Sequence, residues 1–426
     1  MTFKLFVLCS FVLLARPQDV LTFLQPMRPA LVLTVLAMAA LAFGAHRREL
    51  AATVSTPEAK RYLLFFGLMI FGIPFAYHKG LAFDAVLLGY TGNVLFFFLV
   101  VSHVNSLQRL KSFLWVICLS TMAYSIFGGL LQASSFGGGR FQMAGGVFDP
   151  NDTAYVLLSL FPLCLYFVRF DAGTVKRLLA IAAVCGALAT ILLTGSRGGI
   201  VAFGAVLLML LLTRTTGLGI GSKTLLVVLL AASGFLMRDK IDVERYLTLS
   251  DLSSDYNLTS QGGRIELWKE AIGLSLAHPL TGVGVNSFAF ANDVARRLAG
   301  ETHLRWEAVH NSYLQVAAEV GLIGFTVYML IYLRSVRTFF RLSRSRPQSA
   351  EALEIAALSG FMLLGFAGLM ICGFFLSQGY SIFSTLYFAL AASLARIQSA
   401  PSAAAGAALA RRDEQEGYRG DRMPVG

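Results

Sequence analysis

The chain has 426 residues, 56% of them apolar and only 14% charged, with a mean hydropathy of +0.67. A soluble domain carries about 25% charge, so water is excluded as the solvent for most of this chain. The formal net charge is +11, but the basic residues fall in short connectors between apolar runs, where they orient a membrane protein, and nucleic-acid binding is excluded as a role.

In chain order, residues 1–16 open with Lys4 and an apolar stretch ending at Ala15. Leu13 spoils the small-x-small pattern of a cleaved signal peptide, which favours an uncleaved first helix. Twelve apolar stretches are candidate spans, near 3–15, 29–45, 62–76, 84–102, 112–133, 153–168, 178–194, 199–213, 224–237, 312–333, 353–376 and 381–395. Several fall short of the ~20 residues needed to cross the hydrocarbon core and must extend into their flanks or be shielded by neighbours. Backbone groups in lipid must pair internally, so the spans are expected to be helices and the fold class an all-α polytopic membrane protein with about 12 transmembrane helices. The five cysteines, Cys9, Cys118, Cys164, Cys185 and Cys372, lie inside these runs without CxxC spacing; neither a metal site nor a disulfide framework is indicated, and no cofactor is expected.

With both termini cytoplasmic, the cytoplasmic connectors collect 22 of the 35 Lys and Arg. Of the rest, most lie in the single segment 238–311, which is too long for the positive-inside bias to govern. The expected organisation is therefore helices one to nine in 1–237, a large periplasmic loop in 238–311, helices ten to twelve in 312–397, and a disordered cytoplasmic tail, rich in Ala, Gly and charge, in 398–426. Within the loop, 263–278 reads as an amphipathic helix at the membrane surface. Ile265, Trp268, Ile272 and Leu276 form its apolar stripe, and Pro279 follows it.

Ionisable groups at membrane depth are functional suspects because lipid makes them expensive. Four clusters stand out on the expected outer side. Arg140 precedes Gly145-Gly146-Val147-Phe148-Asp149-Pro150-Asn151-Asp152. Asn151 or Asp152 there either caps a helix starting near Thr153, or the glycines bring backbone N–H groups to an anion that Arg140 helps to hold. Gly195-Ser196-Arg197-Gly198-Gly199 joins two spans with almost no loop; it is a glycine turn with a snorkelling arginine or a phosphate clamp. Gly262-Gly263-Arg264, with Trp268 one turn on, sets an arginine at a helix N-terminus, which the helix dipole disfavours; either an anion lies between them or this is a surface arginine with no partner. His310-Asn311-Ser312 leads into a span carrying Glu319. His310 suits proton transfer near neutrality, Asn311 suits a cap, and Glu319 is expected to answer an arginine from another helix. Gly282-Val283-Gly284-Val285-Asn286 is a glycine turn without an evident role.

Taken together, Gly146 to Asp152, Gly195 to Gly199, Gly263-Arg264 with Trp268, Pro279 to Gly284, and His310 to Leu314 with Glu319 and Gly321 resemble the bacterial O-antigen ligase and polysaccharide polymerase family. The resemblance spans roughly residues 130–330 and the twelve-span layout with one periplasmic loop. It implies a membrane glycosyltransferase C-like fold in the bacterial inner membrane, a periplasmic site, and a glycan donor carried on undecaprenyl pyrophosphate. The acceptor is the lipid A core in ligases, another lipid-linked glycan in polymerases, and a protein hydroxyl in a third branch. The family's arginines match Arg197 and Arg264, read as binding the donor pyrophosphate, and its histidine matches His310, read as the base on the acceptor hydroxyl. Arg140 is added from the residues alone. Ser196, Asp149, Asn151, Trp268, Asn311 and Glu319 are supporting candidates. The expected reaction is metal-independent and inverting, with membrane lipids and a lipid or glycan acceptor as partners. A chain polymerase, a lipid-linked sugar transporter with repeated halves and broken helices, and a non-catalytic scaffold are the competing readings.

Overall fold

The computed structural model describes residues 2–44, 46–126, 141, 149–170, 173–236, 238–240, 246, 263–300 and 307–399. Among these the chain is helical, with no strand. In order, the main helices are α1 (Thr2–Ala15), α2 (Pro29–Phe43), α3 (Arg47–Val54), α4 (Pro57–Gly72), α5 (Lys79–His103), α6 (Leu107–Ser125), α7 (Pro150–Phe170), α8 (Thr174–Leu193), α9 (Arg197–Leu212), α10 (Ile220–Leu236), α11 (Arg264–Ala277), α12 (Phe288–Leu298), α13 (Ser312–Ser343), α14 (Ala350–Gly373) and α15 (382–399). The described parts of all twelve apolar stretches lie mostly on these helices, which usually begin a few residues earlier. Among the described residues, six helices are long and apolar enough to cross a membrane: Thr22–Phe43, which contains α2, then α5, α7, α8, α13 and α14. The apolar helices α1, α9 and α10 are shorter.

α7 is the centre of the bundle. It is apolar on every face, as a helix surrounded by protein can be, and 83% of its apolar window is buried, against 17% for Thr22–Phe43 at the rim. α14, α8, α6 and α9 pack around it. Lipid offers no hydrophobic drive between helices, so close approach through small residues does the work. On α14, a Cβ at Gly365 would come within 2.4 Å of the Ser159 carbonyl oxygen and closer still to the Tyr387 hydroxyl; one at Gly368 would meet the Leu158 oxygen at 3.0 Å. The Tyr387 hydroxyl donates to the Ser159 carbonyl across the same seam.

α13 is broken at Gly321, where φ is +76°. The break is filled by the segment after α11. Val283 N–H donates to the Ala318 carbonyl at 2.8 Å, Gly284 N–H to the Glu319 carbonyl at 3.0 Å, and Leu322 N–H to the Pro279 carbonyl at 2.7 Å. These are the groups an interrupted i to i+4 ladder leaves unpaired, and backbone groups at this depth must find partners. The approach is backbone against backbone, which accounts for the glycine run: a Cβ at Gly282, itself at φ +66°, would lie 2.4 Å from the Glu319 carbonyl carbon.

α11 forms where the amphipathic pattern placed it, but it buries a different stripe. Leu267, Ala271 and Ser275 face inward, whereas Ile265, Ile272 and Leu276 are exposed. The packed face belongs to the small residues because α11 lies close along α13, which leaves the larger aliphatics facing outward. α12 is a second helix in the loop that periodicity did not single out. It is tied to α11 by Arg296, whose guanidinium pairs with Glu270 at 2.7 Å and Glu266 at 3.4 Å.

Candidate active site

Three of the four polar clusters supply the first turns of helices that begin around one cavity. α7 starts at Pro150, with Asp149 as its cap: Asp149 Oδ1 accepts from the N–H groups of Asn151 at 2.7 Å and Asp152 at 2.8 Å. The expectation that Asn151 or Asp152 caps a helix starting near Thr153 is therefore corrected by three residues. Proline at the first helical position is pre-organised for the helix and lacks only an N–H that would be unpaired there. Ser196 caps α9, its Oγ accepting from Gly199 N–H at 3.1 Å. Asn311 caps α13, its Oδ1 accepting from Tyr313 and Leu314 N–H at 3.0 and 3.1 Å. Gly263 is the cap position of α11, so Arg264 is its first residue.

The cavity is lined by Asn151, Ser196, Gly198, Gly199, Arg264 and the segment around Cys372, Phe375 and Leu376. Arg197 stands between two lining residues, at the first position of α9. α13 begins beside the cavity, since Ser312 Oγ donates to the lining Leu376 carbonyl at 2.7 Å. The glycines are needed for closeness: a Cβ at Gly198 would meet the Phe375 ring at 3.0 Å, and one at Gly199 the Ala154 Cβ at 2.8 Å. Each helix N-terminus carries the equivalent of roughly half a positive charge and unpaired N–H donors. Several such ends with a guanidinium between them suit an anion.

His310 precedes the α13 cap in left-handed backbone, at φ +51°. Its N–H donates to Ser377 Oγ at 2.8 Å. Burial, and behind it the Arg264 charge, holds its imidazole below the ordinary histidine value of 6.5, while the Asp149 carboxylate pulls the other way. The ring is thus electrostatically coupled to residues of two of the other clusters, and it is neutral at neutral pH, as a proton acceptor must be. Trp268 packs with Leu267, Phe288, Val309 and Ala318 in a satellite core that joins α11 to the residue before His310.

Among the described residues Glu319 meets no arginine, contrary to the expectation. It is buried, and its Oε1 accepts from Phe288 N–H at 3.4 Å, which ties the start of α12 to α13 instead. Arg140 lies outside the described residues. The sequence reading passed over the connector after α14, although Ser377 holds His310 and Gln378 Nε2 donates to Asp152 Oδ1 at 2.8 Å. A Ser-Gln-Gly-Tyr run between two apolar spans on the same side as the other clusters was the available signal.

The fold and this cavity define a helical membrane protein with a pocket suited to an anion. Residues 178–329 match the family model described as O-antigen ligase (Wzy_C). The match contains Arg197, Arg264 and His310 and leaves α7 and α14, which complete the cavity, outside it. It supports a glycan-processing enzyme of the ligase or polymerase type, working in a membrane on lipid-linked glycans. No curated protein matches the chain.

Proposed function

We propose that the protein is a ligase-type glycosyltransferase that moves a glycan from undecaprenyl pyrophosphate to an acceptor hydroxyl, on the lipid A core or another glycan, at the periplasmic face of the inner membrane. The observation that carries this reading is the meeting of the starts of α7, α9 and α11, with Arg264, around one cavity coupled to His310. The acceptor oxygen attacks the anomeric carbon, the bond from that carbon to the pyrophosphate oxygen breaks, and the electron pair leaves with the diphosphate. Arg264, Arg197 and the N–H groups at the start of α9 bear the developing charge; fixed donors in a poorly hydrated pocket do this without reorganising. His310 takes the acceptor proton. A good leaving group needs no covalent intermediate, so the anomeric carbon inverts. Arg140 is proposed as a further contact to the diphosphate. Asp149, Ser196 and Asn311 aim the helix ends, and Trp268 and Glu319 hold α11 and α12 in place.

The topology proposed with it has twelve crossings, both termini cytoplasmic, 238–311 periplasmic and 398–426 as a cytoplasmic tail. The basic connectors support it: Arg334, Arg337 and Arg341 lie in the half of α13 away from the cavity, and Lys60 and Arg61 in the first turns of α4, beside that half.

Purified protein given a lipid-linked glycan and an acceptor is expected to release undecaprenyl pyrophosphate in EDTA. His310→Ala is expected to lower that rate by about 10²–10⁴-fold while donor binding persists. A divalent-ion requirement contradicts the mechanism, and a ladder of products in place of a single transfer assigns the protein to the polymerases.

A further inference from the structure

The end of the bundle away from the His310 cavity holds a second, shallow cavity between α4, α5, α13 and α15. It lies outside the residues matched by the family model, and the transfer chemistry makes no use of it. Ser312, beside the first cavity, and Arg334, at the second, are 22 residues apart on α13 and lie on either side of the break at Gly321, so the two cavities sit toward opposite ends of that helix.

The composition of the second cavity is that of a lipid site. Its wall is aromatic, formed by Tyr62, Phe97 and Phe388, and its rim carries Arg61, Arg334 and one acid, Glu58. Arg61 reaches Glu58 at 3.5 Å with both side chains about one-third exposed, a contact of the weak surface kind. Arg334 is exposed and makes no hydrogen bond or ion pair among the described residues. The rim is thus net positive, with a guanidinium to spare, and guanidinium offers planar paired donors to a phosphate. Next to the rim, Leu64, Leu330 and Leu333 are about half exposed, so the charged rim is continuous with an apolar surface of the kind acyl chains cover. A soluble anion would leave that surface uncovered.

We propose that this cavity binds an anionic glycerophospholipid, with its phosphate between Arg334 and Arg61 and an acyl chain along the exposed Leu64, Leu330 and Leu333. The full-length protein in neutral detergent, titrated with phosphatidylglycerol or phosphatidylcholine and read by native mass spectrometry, tests it. Phosphatidylglycerol is expected to bind at least tenfold more tightly than phosphatidylcholine, and Arg334→Gln to remove at least fivefold of that. Excess inorganic phosphate should leave the lipid in place. Because Arg334 is exposed and makes no such contact, its replacement leaves the fold intact; Arg61→Gln gives the same reading from the other side of the cavity. Equal binding of the two lipids, unchanged binding in both variants, or displacement of the lipid by inorganic phosphate overturns the proposal.

Discussion

His310 carries the proton in the proposed mechanism, and its setting makes the acid limb of the pH profile a direct readout. Its imidazole is held below 6.5 by burial and by Arg264, and pulled upward by Asp149. A base works only when neutral, so transfer is expected to persist below pH 6.5 and to fall as pH drops through the His310 value. Arg264→Gln removes a positive neighbour and is expected to move that limb to higher pH, besides weakening donor binding. Asp149→Asn keeps a good helix cap but removes the carboxylate, and is expected to move the limb to lower pH. Rate profiles of the two variants check the signs; shifts in the same direction contradict the coupling. Arg197, Arg264 and His310 stand out in the sequence as candidates because charge at membrane depth is costly enough to need a reason. Ser377 and Gln378 were not, because a short polar connector between two spans is the ordinary way to end a helix.

Helices position these residues, and their ends and breaks are the informative parts. From the sequence Asn311 reads as a cap, and Asp149 and Ser196 as supporting site residues. All three are caps, and capping fixes where α7, α9 and α13 begin, at or beside the cavity. Glu319 and the Gly282–Gly284 turn were opaque for a different reason. Their partners are backbone groups brought close only by the break at Gly321, which periodicity cannot reveal in an apolar span. That break yields a prediction: Gly282→Ala places a Cβ 2.4 Å from backbone at φ +66° and is expected to cost about 2 kcal/mol or more, measured as lost thermal stability together with lost transfer. Gly67→Ala in α4, where a Cβ meets nothing within 4 Å, is the control and is expected to be neutral or slightly stabilising. Equal effects of the two changes would remove the role assigned to the plugged break.

Across the whole molecule, the all-helical membrane fold was legible because lipid permits few alternatives, and the described spans fall within a few residues of the apolar stretches. The sidedness proposed from the basic connectors has its own check. Cysteine introduced at Ala308, exposed beside His310, is expected to react with an impermeant maleimide on intact cells, and cysteine at Gln348, exposed beyond α13, only after permeabilisation. The reverse pattern inverts the topology. The central claim is that one cavity holds the diphosphate of a lipid-linked donor, and the structure of the protein with such a donor bound tests it most directly. The account predicts the diphosphate within hydrogen-bond reach of Arg264 and the first N–H groups of α9, with the anomeric carbon facing His310. A diphosphate bound away from these groups, or a sugar turned away from the imidazole, contradicts it.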